Sequence, residues 1–130
     1  MDTSYFGNLK LVKNPVSISG KAPFWYEGPE FKVLAPKYGF FSDYKAGKIN
    51  AAEYTVQFYK QVLEPLDPIK IYQDLISKYG SDVTLLCYEK PGDFCHRRLV
   101  AAWLEAANNI MIPERSNVVL DPRLKSLFEM

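Results

Sequence analysis

The sequence is short of histidine and cysteine: it has one histidine, His96, and two cysteines, Cys87 and Cys95. A zinc centre built from these three would need a carboxylate or water as its fourth ligand. The spacing, Cys-x7-Cys-His, matches none of the common structural zinc patterns, so no metal and no cofactor are expected. Charge of one sign is also lacking. Sixteen basic residues stand against 15 acidic ones, for a net charge of +1. That balance gives no electrostatic case for a long nucleic-acid footprint, although it leaves room for a local basic pocket. No apolar run approaches a membrane span, which excludes a membrane-spanning helix. Met1 to Gly7 has neither the basic nor the apolar region of a secretory signal. The expected compartment is therefore the cytoplasm, where thiols are reduced and a Cys87–Cys95 disulfide is the weaker reading. There is no internal repeat and no low-complexity tract.

What is present fits one globular domain spanning residues 1–130. Apolar residues make up 48% and charged residues 24%, enough for a proper core. Aromatics reach 15%, and most should be buried.

Residues 2–6 read as a short first strand. Pro15 to Ser19 alternates apolar and polar before Gly20, the pattern of a half-buried strand. Residues 22–48 read as a long irregular stretch with one strand near Phe31–Leu34. Asn50 and Glu53 have the spacing of a capping box ahead of an apolar helical face that runs to Leu66. Asp67-Pro68 opens a second helix, which Gly80 ends. Val83 to Tyr88 is a short apolar run rich in β formers, as expected of a central strand paired in parallel and covered on both faces. Pro91-Gly92-Asp93 then turns the chain into a helix that reaches Asn108 or Asn109. Val118 to Leu120 reads as a last strand, and Asp121-Pro122 as the cap of a C-terminal helix. This order predicts an α/β fold with a mainly parallel sheet and helices on its faces, in a Rossmann-like three-layer arrangement.

The chemistry concentrates at Cys95-His96-Arg97-Arg98. In open α/β sheets, ligands gather beyond the carboxyl ends of the strands. Residues 83–88 end there, so Cys87, Glu89 and Cys95–Arg98 should share one rim. The first turn of a helix favours acidic residues, yet this one carries Arg97 and Arg98. A bound phosphate would make those cations favourable. The same setting lowers a thiol pKa, which makes Cys95 a nucleophile candidate, with Glu89 as a general acid or base. Competing structural readings place Cys95 in the core and pair Arg97 with Glu89. The phosphatase spacing, with Arg six residues after Cys, is absent: Asp93 follows Cys87 and Ala101 follows Cys95 at that distance.

Leu85-Leu86-Cys87-Tyr88-Glu89 followed by Phe94-Cys95-His96-Arg97 resembles the signature of the domain of unknown function 488 family. Thr3-Ser4-Tyr5-Phe6-Gly7, Ala22-Pro23-x-Trp25, Leu34-Ala35-Pro36 and Tyr44-Lys45-x-Gly47 are similar to one branch of it. The similarity runs over most of residues 3–105. It implies a compact α/β domain and no settled activity. By match, its polar signature positions are Cys87, Glu89, Cys95, His96 and Arg97, joined by Thr3, Ser4 and Lys45.

Three functions compete. The first is binding of a small phosphate-bearing ligand, a nucleotide or a nucleic-acid component. Arg97, Arg98, Thr3, Ser4 and Lys45 would hold it, and Cys95, His96, Arg97 and Glu89 would supply cysteine-dependent catalysis. Lys37, Tyr38, Phe40, Phe41, Tyr44, Lys45 and Lys48 would cover a base and its phosphates; the structural reading makes those aromatics the loop's own packing. The second is a non-catalytic module for short nucleic acid or protein. The third is a thiol- or zinc-dependent enzyme. No membrane partner is expected, and no protein partner is indicated.

Overall fold

Val83-Thr84-Leu85-Leu86-Cys87 has almost nothing to show to water, and the computed structural model, which describes residues 1–115, gives it no water to face. Strand β3 (Thr84–Cys87) is buried at every position. It lies between β1 (Asp2–Tyr5) and β2 (Pro15–Ser17) in a three-stranded sheet of order β1-β3-β2, parallel on both sides. Leu85 stands opposite Thr3 on one side and Val16 on the other. Side chains alternate across a strand, so Leu85 and Leu86 point to opposite faces. Leu85 joins the main core, while Leu86 closes a smaller cluster with Phe6 and Val12. Each such leucine contributes roughly 1.5–3 kcal/mol by leaving water.

The described residues form four α-helices beside this sheet. Helix α2 (Ala51–Phe58) starts with the expected capping box: Glu53 N donates to Asn50 Oδ1 at 2.8 Å, and Asn50 N donates to Glu53 Oε1 at 3.2 Å. It continues into a π-helical turn at Tyr59–Leu63, closed by Glu64 N to Tyr59 O at 2.7 Å. Helix α3 (Pro68–Tyr79) is capped by Asp67 and stops at Gly80, whose φ of 102° disfavours any residue with a Cβ. Helix α4 (His96–Asn108) ends at Asn109 in the left-handed region. Phe58, Leu75, Leu85, Val100 and Leu104 meet in the core with no exposed surface. Among the described residues, no helix is long and apolar enough to cross a membrane.

Two expectations change within residues 22–48. The strand near Phe31–Leu34 is a single bridge, Ser17 to Glu30, followed by a 3-10 turn at Lys32–Leu34. Phe31 N donates to Ser17 O at 2.7 Å, and the chain then turns away, so no ladder forms. The irregular stretch also contains helix α1 (Tyr38–Lys45). It has no side-chain N-cap and carries a glycine in its first turn, so local signals are weak. Packing supplies the missing stability: Phe40 and Tyr44, one turn apart, both contact the Tyr54 ring. The strand at Val118–Leu120 and the helix after Asp121-Pro122 lie outside the described residues.

Candidate functional site

Strand β3 ends at Cys87, and the chain returns to the same rim through a turn in which Asp93 N donates to Lys90 O at 3.0 Å. Gly92, with φ at 92°, allows that turn. Cys95 is the N-cap of α4 and leaves the first turn without a side-chain cap. The two cysteines thus converge from a strand end and a helix start. Free thiols were expected from the compartment; instead the structure joins Cys87 and Cys95 in a disulfide, with their Cα atoms 7.3 Å apart. The tertiary fold brings the sulfurs together, and an argument from compartment carries no information about that. Both residues are buried, Cys87 more completely.

His96 is buried beside them. Its Nε2–H donates to Ile18 O at 2.7 Å, which leaves Nδ1 as the unprotonated nitrogen, 3.8 Å from Cys95 Sγ. Burial drives the imidazole pKa down to about 4, and the neighbouring Arg97 charge pushes the same way. The hydrogen bond to Ile18 and the charge of Glu89 oppose this without reversing it. His96 is therefore neutral at physiological pH. The Phe58 ring packs against it, with centroids 5.5 Å apart.

Arg97 has no exposed surface. Its guanidinium holds Glu114 through both carboxylate oxygens, with Nε at 3.0 and 3.1 Å and an NH2 contact at 2.6 Å. The remaining donor, NH1, reaches Glu89 O at 2.7 Å and Cys87 Sγ at 3.1 Å. Burial pushes the Glu114 carboxyl up, but hydrogen bonds from Arg97 and Thr3 and the charges of Arg97 and Arg98 outweigh it. The net pKa lies below the usual carboxylate range. Thr3 donates to Glu114 Oε1 at 2.6 Å and accepts from Arg98 NH1 at 2.8 Å. Ser4 donates to Arg115 O at 2.8 Å. Thr3, Ser4, Arg97 and Arg98 thus belong to one internal polar network held by the segment after α4.

In front of the sulfurs lies a cleft of about 760 Å³, lined by Cys87, Cys95, His96, Glu89, Lys45 and Lys21 together with aromatic walls. Those walls are Tyr38, Phe41 and Tyr88. Tyr38, Phe41 and Lys45 are spaced i, i+3 and i+7 along α1, so they share its cleft-facing side. Phe40 and Tyr44 take the core-facing side. Lys45 Nζ meets Glu89 Oε1 at 2.7 Å, with both side chains partly exposed. An ion pair of this kind contributes only about 0–1 kcal/mol, so either partner is free to turn toward a ligand.

The Leu-Leu-Cys-x-Glu strand end and the Cys-His-Arg helix start meet around this cleft, and the family model of the Active DUF488-N3 subclade matches residues 13–108. The chain belongs to the DUF488 family. No curated protein and no solved structure matches it.

Within this DUF488 domain the expected site residues fall into two groups. Cys95, His96, Glu89 and Lys45 line the cleft together with Cys87. Arg97, Arg98, Thr3 and Ser4 lie behind them in the internal network. The carboxylate held by Arg97 is that of Glu114; Glu89 offers it only a backbone carbonyl. Glu114 lies outside the matched residues, and nothing in its local sequence sets it apart. Lys21 and the Ile18 carbonyl were also missed. The carbonyl is a backbone group that any residue would supply.

Proposed function

We propose that the cleft binds a small planar ligand that carries phosphate, a nucleotide or a nucleic-acid component, and presents it to the sulfur chemistry of Cys87 and Cys95. The observation that carries this reading is the 760 Å³ cleft itself, which has aromatic walls, two lysines and an uncapped helix start at its floor. Its size lies within the roughly 300–1,000 Å³ range of small-molecule sites. Tyr38, Phe41 and Tyr88 supply faces for a base, and each stacked base gains roughly 1–3 kcal/mol. Lys21, Lys45 and the positive end of the α4 dipole favour the phosphate. Arg97 takes no direct part, because Glu114 already neutralises it. Cys95 and Glu89 are the candidate nucleophile and acid or base. The reading takes the sheet as the centre of a Rossmann-like three-layer domain working in the reducing cytoplasm.

Thermal melts of the reduced protein with a nucleoside monophosphate, the matching nucleoside and inorganic phosphate test the reading. The nucleotide should stabilise most, by about 2.7 kcal/mol at a hundredfold excess over its dissociation constant. Lys45→Met should reduce the nucleotide's effect toward that of the nucleoside. No shift with any of the three at millimolar concentration would refute the proposal.

A further inference from the structure

Three side chains of metal-ligating type meet at the floor of the cleft. Cys87, Cys95 and His96 each offer one ligand atom, all three residues are buried, and those atoms lie within 4.8 Å of one another. We infer that, with both cysteines reduced, Cys87 Sγ, Cys95 Sγ and His96 Nδ1 bind one zinc-type divalent cation, with the fourth coordination position open to the cleft.

Four features of the geometry support this. First, the imidazole is already oriented. Nε2–H donates to Ile18 O at 2.7 Å, so the lone pair of Nδ1 faces the sulfurs. Metal-ligating histidines are held in this way, with the far nitrogen donating to a carbonyl or carboxylate.

Second, the backbone spacing suits two thiolates better than a bond between them. The Cα atoms are 7.3 Å apart, against an ordinary disulfide span of about 4.4–6.8 Å. Two thiolates on one tetrahedral zinc, each about 2.3 Å from it, lie roughly 3.8 Å apart, which asks for a wider backbone separation.

Third, the charges balance. Two thiolates neutralise a divalent cation, and Arg97 is already neutralised by Glu114 at 2.6 Å. Arg97 NH1, 3.1 Å from Cys87 Sγ, is then a hydrogen-bond donor to a ligand thiolate and adds no bare charge.

Fourth, all three ligands line the cleft, so a bound ion would have an open face. Three protein ligands plus an open position is the pattern of catalytic zinc, whereas structural sites are closed. The spacing Cys-x7-Cys-His matches no common zinc pattern because the three ligands come from a strand end and a helix start across a turn.

Binding converts two thiols to thiolates and releases two protons to solvent. The disulfide form has no thiolate to offer. A phosphine reductant breaks the S–S bond with two electrons and is itself oxidised, so the dithiol state is accessible in the test.

The experiment uses the tag-free full chain, reduced with a phosphine, stripped with a chelator and then loaded with zinc or cobalt(II). After dialysis, metal analysis should find one zinc per chain. Cobalt should give the near-ultraviolet thiolate-to-metal charge-transfer band and the intense visible bands of a four-coordinate ion. Cys95→Ser, which keeps only the Cys87 thiolate, should lower that charge-transfer intensity. The wild-type spectrum alone decides the matter if the variant does not fold. Failure of the folded, reduced wild type to retain metal would overturn the inference. So would retained cobalt with a weak six-coordinate spectrum, or an unchanged charge-transfer band in Cys95→Ser. Metal is read with no nucleotide present, and nucleotide binding is read with chelator present, so either proposal can fail alone.

Discussion

Replacing Arg97 by methionine separates two physical pictures of the helix start. Arg97 is the largest fully buried side chain of the described residues, and each of its three guanidinium nitrogens is hydrogen-bonded. Methionine fills part of the volume but returns none of the hydrogen bonds. It leaves Glu114, whose side chain is only 20% exposed, as a carboxylate without its cation. The Glu89 carbonyl also loses its donor. Breaking a buried ion pair by removing one partner costs about 3–5 kcal/mol. Glu114 keeps some contact with water, which places the expected loss near the lower end, about 3 kcal/mol. For a chain of this size that corresponds to a fall in melting temperature of roughly 10 °C. Thermal unfolding followed by circular dichroism, in reductant at pH 7, measures it. The double-mutant cycle with Glu114→Gln should show a coupling of about 1–3 kcal/mol. An exposed, anion-seeking arginine predicts the reverse: Arg97→Met would melt like wild type, or higher, and would lose only a phosphate-dependent gain. A loss under about 0.5 kcal/mol together with that pattern would refute the pairing argument.

Stability should also fall in acid through Glu114. Its folded pKa is held below its unfolded value, so the unfolded chain binds more protons. The contribution is complete above the ordinary carboxyl pKa of about 4.3 and is lost as pH falls through the folded value. Urea midpoints measured from pH 6 downward should decline less steeply for Glu114→Gln than for wild type. Asn50→Ala removes one half of the α2 capping box and should cost about 1 kcal/mol in the same urea melts, with an unchanged slope. Leu85→Ala opens a cavity at the centre of the sheet and should cost about 2–5 kcal/mol; a loss below 1 kcal/mol would contradict its place in the main core.

Elements whose signals are local were legible from the residues alone. Asn50 and Glu53 cap α2 because two side chains three residues apart satisfy each other's backbone donors, whatever the rest of the chain does. Asp67-Pro68 and Gly80 bound α3 for similarly local reasons. The nearly continuous apolar run at 83–88 required cover on both faces, and the main core on the Leu85 side and the Phe6–Val12 cluster on the Leu86 side supply it. The Cys-His-Arg motif located the rim of the sheet. Which side chains meet at that rim depends on long-range packing. Tyr38 to Lys45 becomes helical because the Tyr54 ring is there to receive Phe40 and Tyr44. Arg97 turns inward because Glu114, 17 residues later, comes back across β1 to meet it. The two cysteines meet because a strand end and a helix start point into one cleft. Each of these depends on a partner distant in the chain, and a single sequence carries no local trace of which distant group will arrive.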